Sequence, residues 1–215
     1  MPPLSTLPGI PARSGASGFR SLSVVTPAAG PVVSVADLRN HLREDGAELD
    51  AVLQGFEAAA VAYLEEVTGR ALVERTMRLE LDAFPIATCP ILLPSVPLLT
   101  ATAPVVKYRD TAGAEQTLAA SVYRVNGNAE PGELALRANE SWPATLSERA
   151  AVWIDYHSGY GAAAAVALAC PMAVAAVKLL VGHLYENREA TVAAALQEVP
   201  LGVKALCGQL KVWRV

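Results

Sequence analysis

Two amphipathic stripes more than a hundred residues apart constrain this chain more than any other feature. Leu49, Val52, Leu53, Phe56, Ala60, Tyr63, Leu64 and Val67 form the first; Val174, Val177, Val181 and Leu184, with Leu180 beside them, form the second. Apolar residues at spacings of three and four, with Lys178, Glu186 and Glu189 on the other side, describe helices with one apolar face. Pro171 suits a first helical turn, where its missing N–H goes unused. Gly69 follows Thr68 as a left-handed C-cap requires. Asp45, Glu48 and Asp50 lie at or near the start of the earlier helix, where negative charge complements the helix dipole. Neither stripe can be hidden alone, so the helices, at about 48–68 and 171–189, are expected to pack together.

Between them the period changes from 3.6 to 2. Val73, Arg75, Met77, Leu79 and Leu81 share one face and Glu74, Thr76, Arg78, Glu80 and Asp82 the other, the pattern of a half-buried strand. Ile91-Leu92-Leu93-Pro94 reads as a brief strand. Val105–Arg109 and Gln116–Leu118 flank Asp110-Thr111-Ala112-Gly113 as a hairpin would. Val122–Val125 and Glu133–Leu136 flank a second turn, and Ala151–Tyr156 is a last strand before Gly159-Tyr160-Gly161. The expected fold is α+β: mainly a helical bundle, with an inserted antiparallel β region at about 73–156.

Outside that frame, Ser34 can cap a short helix to about Arg43, with Asp37 three residues on. Thr191–Glu198 is ambiguous, and Pro200 opens a last short helix over Leu201, Leu206 and Leu210. The implied organisation is a flexible arm at 1–30, a bundle at 31–199 with its β insertion at about 71–158, and a C-terminal docking segment at 200–215. Leu22–Pro27 is a short extended run within the arm.

Composition narrows the function. Hydrophobic residues make up 53%, but 40 of the 215 residues are alanine, so much of that fraction packs helices closely without burying much area. No run of eighteen apolar residues exists, and a membrane span is not expected. The arm holds five prolines and no continuous apolar core of the kind a secretion signal needs. Cys89, Cys170 and Cys207 are odd in number and widely spaced, which points to a reducing compartment.

The net charge of −4 hides a gradient: residues 31–199 carry all 21 acids and 12 bases, while both ends are basic. An acidic body is a poor grip for nucleic acid, whose affinity comes largely from cationic contacts to phosphate. The basic C-terminus suits docking on an acidic surface, or else reflects chance variation in a short tail.

Catalytic chemistry finds little support. His41, His157 and His183 are scattered, with no second ligand at metal-binding spacing. His157-Ser158-Gly159-Tyr160-Gly161 is not a nucleophile elbow, and its glycines suit a turn. No phosphate-binding glycine loop occurs. Adjacent Glu65 and Glu66 point apart on a helix and read as a solvated face. No catalytic, cofactor-binding or metal-ligating residue is expected, and the chain is not expected to be an enzyme. The competing reading from another class is a small cytoplasmic enzyme or ligand-binding module with a cleft between bundle and insertion, served by His157 and Ser158.

The residues Tyr63–Leu72, ending in Thr68-Gly69-Arg70, and then Arg78–Pro85, ending in Phe84-Pro85, resemble the head–tail connector (adaptor) proteins of tailed phages. The resemblance continues through Leu92–Leu98, Tyr108–Gly113, Tyr123-Arg124-Val125, Ser141-Trp142-Pro143, Ser158–Gly161 and His183–Ala190, and closes near Pro200–Val203. It spans roughly residues 22–213, and similar proteins occur in gene transfer agents, phage-like particles that package host DNA. Each motif alone is weak; their order and spacing are fairly specific.

The resemblance implies a ring, usually of twelve copies, in the neck of a virion or phage-like particle assembled in the host cytoplasm. Such a ring lies beneath the portal and extends the DNA channel toward the tail. The partners implied are other copies, the portal and the next neck, stopper or tail protein; DNA passes without specific binding, and neither a cofactor nor a membrane is involved. Portal contacts would fall on Leu201, Lys204, Leu206, Leu210, Lys211, Trp213 and Arg214, with Trp213 as an anchor or else a plain core residue. Another neck role, stopper or tail terminator, is the nearer alternative.

Overall fold

The structure is a computed structural model that describes residues 19–187 and 201–212. Residues 1–18, most of the stretch read as an arm, lie outside the described residues. So do Thr191–Glu198, the last residues of the expected long helix, and Trp213 and Arg214.

Among the described residues, five helices and eight strands follow in the order β1 (Phe19–Thr26), α1 (Val35–Leu42), α2 (Asp50–Thr68), β2 (Arg75–Leu81), β3 (Ile91–Leu93), β4 (Val105–Arg109), β5 (Glu115–Thr117), β6 (Tyr123–Asn126), β7 (Gly132–Leu136), β8 (Val152–Ser158), α3 (Ala163–Ala169), α4 (Pro171–Glu186) and α5 (Leu201–Leu210). Five strands pair antiparallel in the order β1-β2-β8-β4-β5, and three more in the order β3-β7-β6.

This corrects the expectation of a mainly helical bundle carrying an insertion. The fold is mixed α+β, and among the described residues only α2 and α4 form helices of more than ten residues. The strands between α2 and α4 do not hang from a helical body. They enclose a core of their own, built by both sheets from Met77, Leu79, Leu81, Leu93, Val106, Leu134, Ile154 and Tyr156. Moreover, β1 comes from before the helices and lies along β2, pairing Leu22 with Leu79 and Val24 with Met77. The sheet is therefore built by chain from both sides of α2, and the helices cover a second core of comparable size.

The helical core forms where the two stripes meet. Leu53, Ala60 and Leu64 of α2 share one buried cluster with Ala173, Ala176, Val177, Leu180 and Val181 of α4. Val174 and Leu184 pack at its border, so Ala173 and Ala176 carry part of the seam that the valines and leucines of the stripe were expected to fill. Ser34 caps α1 by accepting the Asp37 N–H, and Gly69 ends α2 at φ 72°.

Backbone hydrogen bonds stitch the two cores where the chain enters β2 and leaves β8. Ala71 donates to Val96, Tyr160 to Leu72, Glu74 to Gly161 and Gly159 to Pro97, all at 2.7–2.9 Å. Burial of Tyr156 beside this seam raises its phenol pKa well above the usual value.

Candidate docking site

The expected docking helix is α5. Val203, Cys207 and Leu210 recur at four and three residues and are buried among the helices, and Leu206 packs at the border of the same cluster. Burial pushes the Cys207 thiol pKa up. Of the seven residues expected to contact a portal, Leu206 and Leu210 are thus committed to the chain's own packing. Leu201 is 82% exposed, and Lys204 and Lys211 are exposed as well. Trp213 and Arg214 lie outside the described residues.

The end of α5 is tied to the end of α2. Val212 donates its N–H to the Thr68 carbonyl at 2.9 Å. The Arg70 Nε–H donates to the Leu210 carbonyl at 2.7 Å, while Nη1 and Nη2 donate to the two carboxylate oxygens of Glu130, each at 2.6 Å. Nη1 also lies 3.4 Å from the Tyr160 hydroxyl. Arg70 has only 15% of its side chain exposed. Its hydrogen bond to Glu130, working against burial, raises its pKa further. Thr68 and Gly69 entered the sequence argument as a helix C-cap, but Arg70 entered it only as part of a resemblance. Nothing local in the sequence shows that Arg70 reaches partners 60 and 140 residues away.

Glu65 was also read differently from its setting. Its carboxylate accepts the Leu72 N–H at 2.8 Å and pairs with Arg75, so it caps the chain's entry into the sheet rather than facing solvent. His157 and Ser158 do not meet, because successive residues of β8 face opposite sides. The His157 ring nitrogen Nδ1 sits 2.8 Å from Glu74, whereas buried Ser158 accepts a hydrogen bond from the Ser95 hydroxyl at 2.9 Å. Among the described residues no group of three His, Cys, Asp or Glu side chains is placed to hold a metal ion. No single described helix is long and apolar enough to cross a membrane.

Large apolar side chains remain on the outside of the helical layer. Leu168 of α3 is 87% exposed, and Met172 and Leu179 of α4 lie seven residues apart on its outer side, with Leu201 of α5 also exposed. Exposed apolar residues on neighbouring helices are typical of surfaces that associate. The large sheet has an edge at each end, β1 and β5, which pair on one side only among the described residues.

No family model and no curated protein matches the chain. Solved structures do. The chain is similar to one from the neck of an empty gene transfer agent (GTA) particle computed with C6 symmetry, at 29% identity and a TM-score of 0.73. It is also similar to one from the virion of a native GTA particle, at 32% identity and a TM-score of 0.69. A third likeness is to one from the neck of a native GTA particle computed with C12 symmetry, at 31% identity and a TM-score of 0.67. Each likeness covers 91% of this chain and 97% of the other. With identity above 30% over nearly the whole of both chains, the chain belongs to the head–tail connector family, the structural neck proteins of tailed phages and phage-like gene transfer agents.

Proposed function

We propose that this neck protein acts as the adaptor: copies form a ring, of twelve, below the portal, and the ring extends the DNA channel toward the tail. The observation that carries the reading is the near full-length likeness to chains from necks computed with C6 and C12 symmetry. Identical copies around such an axis meet through heterologous contacts that close by rotation. The outward apolar residues of α3, α4 and α5 supply material for such contacts.

The C-terminal segment is the portal-facing part of this reading. Leu201, Lys204 and Lys211 offer an apolar contact and two cations, and Trp213 and Arg214 extend the segment. The next neck or tail protein meets the β side. An acidic body suits a conduit through which DNA slides, since a strongly cationic lining would bind phosphates. No substrate turnover is expected in this reading, which is supported by His157 meeting Glu74 while Ser158 meets Ser95.

Mass measurement of the purified chain with and without portal rings, followed by electron cryo-microscopy of the parent particle, tests the proposal. Adaptor function requires density for twelve copies in contact with the portal. Copies placed only at the tail side, away from the portal, would assign a stopper or terminator role instead.

A further inference from the structure

Arg70 touches three parts of the chain that are remote in sequence: Glu130 in the turn between β6 and β7, Tyr160 beyond β8, and the Leu210 carbonyl at the end of α5. Two parallel bonds to one carboxylate fix the plane of a guanidinium as well as its position. Once that plane is fixed, so is the direction of Nε–H. Its acceptor is one of the last carbonyls of α5, groups that have no partner within a helix of their own. Two residues later the Val212 N–H is held by Thr68, the second residue before Arg70. The end of α5 is thus held from both sides of the Gly69 turn.

We infer that Arg70 is a positioning residue for the C-terminal segment: it sets the direction in which the chain leaves α5 by reference to the β6–β7 turn. The inference rests on the reading of that segment as the docking part. It adds that the segment and the smaller sheet are energetically coupled, so that a partner holding one end biases the other. Lysine cannot replace Arg70 here, because a single ammonium does not present a planar fork to Glu130 and a separate donor to Leu210.

Hydrogen exchange of the full-length chain, resolved by mass spectrometry, tests the coupling. Glu130→Ala removes a carboxylate that belongs to the β6–β7 turn and holds Arg70. It should nevertheless speed exchange at residues 207–212 by about tenfold, with the centre of α2 and β8 unchanged. Arg70→Lys should do the same although it keeps the charge, and the double variant should be no worse than either single one. Unchanged exchange at 207–212 in Glu130→Ala overturns the inference. An equal rise throughout the chain also overturns it, because the effect is then one of global stability; Glu130→Gln, which keeps the shape, checks that result. Assembly of the same variants onto portal-bearing particles separates the two claims. A loosened segment with assembly intact leaves the positioning role of Arg70 standing and removes the docking reading.

Discussion

The Glu57 carboxyl accepts the backbone N–H of Val32 at 2.7 Å and that of Val33 at 3.3 Å, from the middle of α2 and almost out of contact with solvent. One side chain thereby satisfies two buried donors in the loop between β1 and α1. Because β1 forms the edge of the large sheet, this contact also anchors the chain that joins sheet to helices. Glu57→Ala leaves both donors unpaired and should cost about 1–3 kcal/mol in denaturant unfolding. Glu57→Gln keeps an acceptor oxygen and should cost less. Equal losses in the two variants would show that packing, not the acceptor, matters at this position.

Gly159 occupies a place where no side chain fits. Its φ is 111°, and an added Cβ would lie 2.7 Å from the Val73 carbonyl oxygen. Both facts arise from the seam, where the chain leaving β8 runs against the chain entering β2. Gly159→Ala should destabilise the protein by roughly 1–3 kcal/mol through backbone strain, and further through the clash. Gly113, with a positive φ but open space around it, should show the strain alone. Comparing the melting of the two alanine variants measures the difference.

The helical pairing offers a third expectation. Leu53 is fully buried on α2 within the cluster that holds Val177 and Val181 of α4. Leu53→Ala should cost about 2–5 kcal/mol, depending on how far the cavity collapses. Val52 is its neighbour in sequence but is exposed, so Val52→Ala should stay near zero. Thermal or denaturant unfolding of the pair checks whether the apolar face lies where the structure puts it.

Most of that face was legible in the sequence because helix period is a local property, although Val52, read into the stripe, is exposed. So were the Gly69 and Ser34 caps, the alternation in β2 and the β4–β5 hairpin, each encoded within a few residues. The balance between helix and sheet was not. β1 shows only a short apolar run, and its partner β2 lies more than fifty residues on, so its membership of the sheet depends on a pairing no local pattern reveals. α3 is largely alanine, and its N-cap Ala162 makes no side-chain capping bond, which leaves no boundary signal. Glu65 and Glu66 look equivalent in sequence, but only Glu65 meets the Leu72 N–H and Arg75. The last helix was legible from the Pro200 boundary, and its docking role is an expectation from its charge and the resemblance. Arg70, which holds that segment, acts across 140 residues and gave no sign of doing so.

Asp110 should contribute a pH dependence to the β4–β5 hairpin. Its carboxylate accepts hydrogen bonds from the Gln116 side chain and from the Ala114 and Ala112 N–H groups. The Gln116 bond first, then the Ala114 bond, holds its pKa below the ordinary value of 3.8. A group whose folded pKa is depressed adds stability above its unfolded pKa, and that contribution is lost as pH falls through the folded value. The hairpin should therefore keep its order at neutral pH and loosen only below about 3.8, as read from NMR shifts of residues 110–116 during acid titration. Asp110→Asn should move that loosening out of the titration. A transition above 3.8 would contradict the sign of the shift.

Leu201 and Leu210 lie nine residues apart on one helix and should fail in opposite ways. Leu210 is buried at the junction with α2, so Leu210→Ala removes core contacts and should cost about 2–5 kcal/mol. Any loss of particle assembly would then accompany loss of fold. Leu201 is largely exposed, and Leu201→Asp should change stability by no more than about 0.5 kcal/mol. In the adaptor reading Leu201 meets a partner, and a carboxylate placed in that contact is desolvated without a counter-charge. Incorporation of Leu201→Asp into neck-bearing particles should fall at least tenfold while its melting curve matches the parent's. Normal incorporation would remove Leu201 from the contact and shift the search toward Lys204 and Lys211.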